Sequence, residues 1–185
     1  AATGGLGLGG GVFATGAITV KRSNFYECGA DAGAGVCSYS GDDTQALGPL
    51  VTATGTISNS TFAYNSGSEV ASINSVVTMS SSVLRGSCAR SLLGRFGTVI
   101  SGGANFVADG GDCALASIGD QIGTAGEPLD PKLRPYDRYG GMTPTLLPFV
   151  AGPLRHKGAC SDSTDQRGVA VASGDCSVGA VEVEA

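Results

Sequence analysis

A short phrase that recurs four times in the first 115 residues constrains the fold more than any other feature of the sequence. Each copy has a β-branched run, a small polar stretch and one large apolar residue, and the copies end at Phe25, Phe62, Leu84 and Phe106. The last three end points are 22 residues apart, whereas the first two are 37 apart. A unit this short cannot bury its own apolar face, so it must stack on its neighbours.

Short strands around these phrases predict the architecture. A second strand precedes each phrase, at residues 11–14, 50–52, 70–72 and 92–93, and no 3.6-residue stripe indicates a helix. We expect an all-β fold, a right-handed parallel β-helix of about four to five rungs over residues 1–115, with a loop insertion at 27–49. Two inward ladders are predicted, one of Val20, Ile57, Met79 and Ile100 and the other of Phe25, Phe62, Leu84 and Phe106. An antiparallel sandwich with turns at similar spacing is the alternative.

The composition narrows the class of protein. Glycine supplies 31 of 185 residues, charged residues only 15%, and there is no tryptophan. The net charge of −5 disfavours nucleic-acid binding, and no apolar run reaches the roughly 18 residues of a membrane span. A single histidine, His156, excludes any site that needs two.

The six cysteines indicate disulfide bonds and therefore an oxidising compartment, which predicts an extracellular or cell-surface protein. No CxxC pair is present, which disfavours a zinc site. Among the possible pairings we favour the sequential one, because each bond then closes a short local loop, whereas long crossed pairings would conflict with a repeat fold. This pairing is Cys28–Cys37, Cys88–Cys113 and Cys160–Cys176.

The last 70 residues change in character. Six of the seven prolines fall between Pro128 and Pro153, which excludes a central sheet there. We expect residues 116–185 to form a C-terminal capping module of ordered loops over the end of the stack, because an open end exposes unpaired backbone and core side chains.

Several motifs of this region together resemble a known family. They are Leu129-Asp130-Pro131, Gly140-Gly141-Met142-Thr143-Pro144-Thr145, Leu146-Leu147-Pro148, Thr164-Asp165-Gln166-Arg167-Gly168 and Gly179-Ala180-Val181-Glu182, with Cys160 and Cys176 between them. The chain resembles bacterial right-handed β-helix surface proteins that end in a choice-of-anchor Q domain, most strongly over residues 98–183. The resemblance implies the β-helix fold and also pairs Cys113 with Cys88. It implies no activity.

Asp165, Gln166 and Arg167 form the most conspicuous polar cluster. We expect a structural clasp, in which the Arg167 fork satisfies loop carbonyls or pairs with a carboxylate such as Asp165 or Glu182. A catalytic arginine is the alternative. His156 has no triad partner in the sequence and is expected to be a surface residue.

Other acidic residues offer little chemistry. The predicted rung strands at 50–57, 70–79 and 92–101 contain no Asp or Glu, so the carboxylate pairs of polysaccharide-cleaving enzymes are missing and no catalytic residue is predicted. Weak calcium candidates are the loop acids Asp42, Asp43, Asp109 and Asp112, and no other cofactor is expected. If the protein binds sugars, the stacking residues would be Tyr64, Tyr136 or Tyr139.

The first rung carries the last expectation. It would expose Leu6, Leu8, Val12 and Phe13, which predicts an assembly surface that is covered either by an N-terminal continuation of the β-helix or by a second copy packed head to tail. We therefore expect a non-enzymatic structural or adhesive protein, with a filament as one outcome. The alternative is a carbohydrate-active protein, either a polysaccharide lyase or hydrolase or a glycan binder. Neither nucleic acid nor a membrane is an expected partner.

Overall fold

A computed structural model describes residues 7–40, 53–92, 95–113, 115–174 and 176–183, and this part of the chain is all-β. No helix in these ranges is long and apolar enough to cross a membrane. The strands are β1 Val12–Ala14, β2 Ile18–Lys21, β3 Asn24–Tyr26, β4 Val36–Tyr39, β5 Ala53–Ser58, β6 Thr61–Ala63, β7 Val70–Ile73, β8 Ser75–Ser80, β9 Val83–Leu84, β10 Cys88–Ala89, β11 Ser91–Leu92, β12 Arg95–Phe96, β13 Thr98–Ser101, β14 Phe106–Val107, β15 Gln121–Ile122, β16 Leu133–Asp137 and β17 Thr145–Pro148.

Three parallel sheets make up the body of the protein. The first sheet has the order β1-β4-β7-β10, the second β2-β5-β8-β13 and the third β3-β6-β9-β14-β15. The chain visits the three sheets in the same order four times, so equivalent strands of successive turns lie side by side. The short repeat cannot bury its apolar face alone, and this stacking buries it against the next turn.

The predicted ladders hold through the first three turns. Val20 lies opposite Ile57, and Ile57 opposite Met79. Phe25 lies opposite Phe62 with the two rings stacked, centroids 4.7 Å apart. These side chains belong to one buried cluster between the sheets. Equal spacing along the sequence therefore identified the inward positions of these turns.

In the fourth turn the predicted ladder of the second sheet is wrong. Ser101, not Ile100, lies opposite Met79, and Ile100 is 45% exposed. Val99 is buried in the core instead, opposite Val77. The register repeats every 22 residues here, whereas Ile100 follows Met79 by 21. Because strand side chains alternate between faces, this offset of one residue turns Ile100 outward.

Phe106 is also displaced from its predicted ladder. It lies opposite Val83, and Val107 takes the inward place opposite Leu84. Between the paired positions Met79↔Ser101 and Val83↔Phe106, the fourth turn contains four residues and the third turn three, and both Gly103 and Ala104 have positive φ in this longer corner. The extra residue places the Phe106 side chain on the outer face of the third sheet.

Two segments differ from their predicted roles. Residues 27–49 are predicted to form a loop insertion, but β4 falls inside this range and pairs with both β1 and β7. The strand predicted at 92–93 is wrong as a rung strand, because β10 pairs with β7 and Leu92 belongs to an antiparallel pair of β11 and β12. The strand expected at 50–52 lies outside the described residues.

Only β15 of the predicted capping module is described at the end of the stack, where it extends the third sheet beyond β14. The residues that follow pack along the flank, not over the end as predicted. Phe106 and Val83 on the outer face of the third sheet are buried against Leu154 and Val178. The backbone N–H of Ala180 donates to the Thr61 hydroxyl at 3.0 Å. The outward apolar side chains of β9 and β14 explain this position, because they must be covered.

The two ends of the stack differ. At the fourth turn, Cys113 and Leu115 are buried against the core. At the first turn, β1, β2 and β3 are the outermost described strands of their sheets, and Val12, Ile18 and Phe25 are only partly buried, as is Ile122 at the opposite end. The apolar core therefore reaches the surface at the first-turn edge, which we define as β1, β2 and β3.

Candidate functional site

The candidate site is a cleft on the third sheet, where its strands end. Tyr26 ends β3, and Arg85 directly follows β9 two turns further along the stack. The loop at residues 128–131 and strand β16 run past these positions. We call the surface made by Tyr26, Tyr64, Arg85, Tyr136 and residues 128–131 the tyrosine cleft.

The aromatic rings of the cleft are in mutual contact. Tyr136 stacks on Tyr26 with centroids 4.2 Å apart and planes 8° apart, and Tyr64 meets Tyr26 edge-on at 5.6 Å. The Arg85 guanidinium lies 4.1 Å from the centre of the Tyr64 ring. Tyr64 and Tyr136 remain 46% and 40% exposed. The cluster therefore presents aromatic surface to solvent although its rings hold one another in place.

Arg85, which contacts the Tyr64 ring, also lines a cavity of about 380 Å³ together with Ala108 and the loop at 128–131. A volume of this size is within the range of small-molecule sites. Asp130 on its wall makes an ion pair of 2.8 Å with Lys132, and hydrogen bonds to Lys132 hold the pKa of Asp130 below its usual value. The Glu27 carboxylate, next to Tyr26, raises the pKa of that phenol by hydrogen bonding.

Arg85 is the cation of the cleft. Within the described part of the chain its exposed side chain makes no hydrogen bond and no ion pair, although it lies over Tyr64 and lines the cavity. Its positive charge acts on the carboxyl groups of Glu69 and Asp130. The sequence predicts Tyr64 and Tyr136 as stacking residues but neither Tyr26 nor Arg85, because β16 joins them only through tertiary packing.

Glu69 is a buried carboxyl group that no sequence motif singles out. It is 2% exposed and accepts hydrogen bonds from the Asn65 side chain and the Gly86 backbone N–H. Burial raises its pKa from 4.5 to about 7, and the hydrogen bonds and the charge of Arg85 only partly oppose this rise. A carboxyl group beside a predicted strand carries no sequence signal of burial.

Asp165 and Arg167 are joined as the clasp prediction requires. The Arg167 Nε and Nη2 atoms donate to Asp165 Oδ2 at 3.0 and 2.8 Å, and both side chains are nearly inaccessible to solvent. Arg167 also donates to the backbone carbonyls of Tyr139 and Glu182 at 3.0 and 2.9 Å. The side chain thus ties three loops together.

Gln166 connects the same segment to the first turn. Its Oε1 atom accepts from the Asn24 side chain and from the Thr145 hydroxyl, the latter at 3.2 Å. Its backbone N–H donates to the Ala180 carbonyl at 2.9 Å. The residues predicted as a clasp therefore join β3, β17 and the last described residues of the chain by hydrogen bonds.

The cysteines only partly follow the predicted pairing. Cys88 and Cys113 lie at disulfide distance, as do Cys160 and Cys176, with Cα atoms 5.8 and 5.4 Å apart. Cys28 and Cys37 are unbonded, so the predicted Cys28–Cys37 bond is not formed. Cys37 is buried on β4 between the neighbouring strands of the first sheet, whereas Cys28 lies beyond the end of β3 and is half-exposed.

The remaining predicted residues are not brought together. Asp109 accepts from the Gly111 backbone N–H at 3.0 Å and Asp112 is exposed, and no group of three metal-binding side chains occurs among the described residues. Asp42, Asp43 and Leu6 lie outside the described residues. His156 is exposed with φ of 56°. Leu8 and Val12 are half-buried, and Phe13 is 46% exposed on β1.

Comparisons of the chain with protein-family models, with curated proteins and with solved structures found no match. The resemblance to the choice-of-anchor Q domain therefore stays a prediction, and the geometry alone has to support a function.

Proposed function

We propose that this chain is a non-enzymatic structural or adhesive protein of the cell surface or the extracellular space, built as a right-handed parallel β-helix. The first-turn edge is the observation that carries the proposal. Its three strands are outermost in three parallel sheets, and the core residues Val12, Ile18 and Phe25 reach the surface there.

Such an edge is suited to receive further strands. Unpaired N–H and C=O groups of an outer strand pair readily with another strand, and the apolar residues beside them gain stability when covered. An upstream turn of the same β-helix or a second copy of the chain would meet both needs. Phe13, on β1 and 46% exposed, would be covered by either partner.

A head-to-tail filament requires the opposite end to be open as well. Cys113 and Leu115 are buried against the core at that end. This cover favours an N-terminal continuation, or the pairing of two first turns around a two-fold axis, over an extended filament. The two cysteine pairs at disulfide distance support an oxidising compartment.

Sedimentation velocity over the micromolar range tests the assembly surface. We expect the sedimentation coefficient of the wild-type chain to increase with concentration, and Phe13→Lys to abolish the increase by placing a charge on the edge. Met142→Lys is the matched control, because Met142 is 91% exposed and lies on the C-terminal segment. A wild-type chain that stays monomeric throughout would exclude self-assembly through this edge.

Glycan binding is a second candidate function. The tyrosine cleft supports it, because exposed aromatic rings beside a cavity with charged walls are suited to sugar recognition. A binding surface of this kind is compatible with the proposed adhesive role.

A further inference from the structure

We propose that the tyrosine cleft binds a carboxylated glycan, a chain of uronic acid residues, and that Arg85 receives a sugar carboxylate. The inference rests on the proposed adhesive function and names the class of ligand. The cleft has the three parts that such a ligand needs: a cation, aromatic surface and a cavity.

Arg85 supplies the charge complementarity. Among the described residues its guanidinium makes no hydrogen bond, although it lines the cavity, and its charge acts on the carboxyl groups of Glu69 and Asp130. A planar fork of N–H donors matches the two oxygens of a carboxylate, and this pairing is stronger than hydrogen bonds to neutral groups. The contact with Tyr64 at 4.1 Å restricts the guanidinium, so less freedom is lost when a ligand binds.

Three other arginines differ from Arg85. Arg167 already holds the Asp165 carboxylate and two backbone carbonyls. Arg22 donates to the Thr164 hydroxyl at 2.6 Å. Arg95 lies over an aromatic ring as Arg85 does, at 5.6 Å from the Tyr39 ring centre, but away from the tyrosine cleft. It therefore offers a matched control.

The tyrosine cleft runs along the axis of the stack, from Tyr26 to Arg85. Tyr26 belongs to the first turn and Arg85 follows the third-turn strand of the same sheet. Since neighbouring strands lie about 4.8 Å apart, the two residues are separated by about 10 Å along the stack axis. This span suits consecutive sugar rings of a linear chain, with one ring packed on the exposed part of Tyr136 and a carboxylate at Arg85.

The acidic groups of the cleft suit the hydroxyls of the same ligand. Asp130 is ion-paired with Lys132 at 2.8 Å, which offsets its repulsion of a bound carboxylate. The carboxylate lone pairs of Asp130 that Lys132 does not use, and those of the exposed Glu27, can accept hydrogen bonds from sugar hydroxyls. Mixed charges along the cleft thus match a ligand that carries both carboxylates and hydroxyls.

Isothermal titration calorimetry tests the inference with hexamers of α-1,4-galacturonate and β-1,4-mannuronate, each beside its methyl ester. We expect at least one free acid to bind, and its ester to bind at least about tenfold more weakly, because the ester cannot form the charge-assisted pair with Arg85. We expect Arg85→Gln to weaken binding of the acid by a similar factor. Tyr136→Ala should also weaken it, and Arg95→Gln should leave it unchanged.

Thermal melts of each variant establish that it is folded. Arg85→Lys keeps the positive charge but removes the planar pair of N–H donors, so we expect it to bind the acid more weakly than the wild type and more tightly than Arg85→Gln. The inference is overturned if neither acid binds, if acid and ester bind equally, or if Arg85→Gln binds as the wild type does. If the chain assembles through the first-turn edge but binds no uronic acid hexamer, only the proposed ligand is rejected. If it binds a hexamer but stays monomeric, only the proposed assembly is rejected.

Discussion

Between about pH 5 and about pH 8, stability should depend on pH chiefly through the buried side chain of Glu69. The carboxyl group is 2% exposed, and burial raises its pKa from 4.5 to about 7. The folded state therefore holds the proton more tightly than the unfolded chain does. Its contribution to stability is complete below about pH 4.5 and is lost as the pH rises through about 7.

The size of the effect follows from the two pKa values. The difference between about 7 and 4.5 corresponds to about 3 kcal/mol, an upper figure for a group that keeps two hydrogen-bond donors when ionised. We expect the free energy of unfolding, measured with urea at about pH 5 and about pH 8, to fall by a large part of this amount. Glu69→Gln cannot ionise and should remove most of the fall, whatever offset the amide itself causes at both pH values. A residual fall is expected from Glu182, because burial also raises the pKa of that carboxyl group.

Glu127→Gln is the control, because Glu127 is exposed and its loss should leave the pH dependence of the wild-type chain unaltered. The comparison uses the change in the free energy of unfolding between the two pH values and not its absolute size. A packing defect of the variant lowers stability at both pH values, whereas ionisation of Glu69 changes the difference between them. If Glu69→Gln and the wild type lost the same stability between the two pH values, Glu69 would not be the group that titrates, and its assigned burial would be wrong.

Three further predictions test the packing. Arg167→Ala should lower the free energy of unfolding by about 3–5 kcal/mol in urea, because it leaves the buried Asp165 carboxylate unpaired; a variant as stable as the wild type would contradict the clasp. Phe106→Ala should lower the free energy of unfolding by about 3–5 kcal/mol, whereas Ile100→Ala should change it by no more than about 0.5 kcal/mol. Equal losses in the two variants would favour the predicted ladders over the observed register. Thiol titration in denaturant without reductant should detect two cysteines, Cys28 and Cys37. In the folded chain Cys37 should not react. A count of zero free thiols in denaturant would support the predicted Cys28–Cys37 disulfide.

Equal spacing made most of the stack predictable. Val20, Ile57 and Met79 are large, apolar and equally placed within their phrases, so their alignment follows from the amino-acid sequence alone. The strand β4 gave no such signal. Its residues lie in a glycine- and alanine-rich stretch, and its place depends on pairing with β1 and β7, which are distant in sequence.

The candidate site was less predictable than the stack. Tyr64 and Tyr136 could be named from composition, since the chain has no tryptophan. Their contact with Tyr26 and Arg85 depends on β16, which reaches the third sheet through tertiary packing with no repeat to indicate it. Burial of Glu69 likewise results from the fold of the neighbouring turn at Gly86.

One additional residue in a corner explains how the C-terminal segment comes to lie along the flank. Through three turns the corner of the third sheet is held by serines, with the Ser23 N–H donating to Ser60 Oγ and the Ser60 N–H to Ser82 Oγ, both at 3.3 Å. In the fourth turn Asn105 takes over, and its Oδ1 atom accepts from the Ser82 N–H at 3.2 Å. The longer asparagine reaches back across the longer corner, so the hydrogen-bond ladder continues although the strand after it has shifted by one residue. That shift turns Phe106 outward, and Leu154 and Val178 bury it. A local change in the repeat therefore creates the apolar contact on which the non-repetitive segment packs.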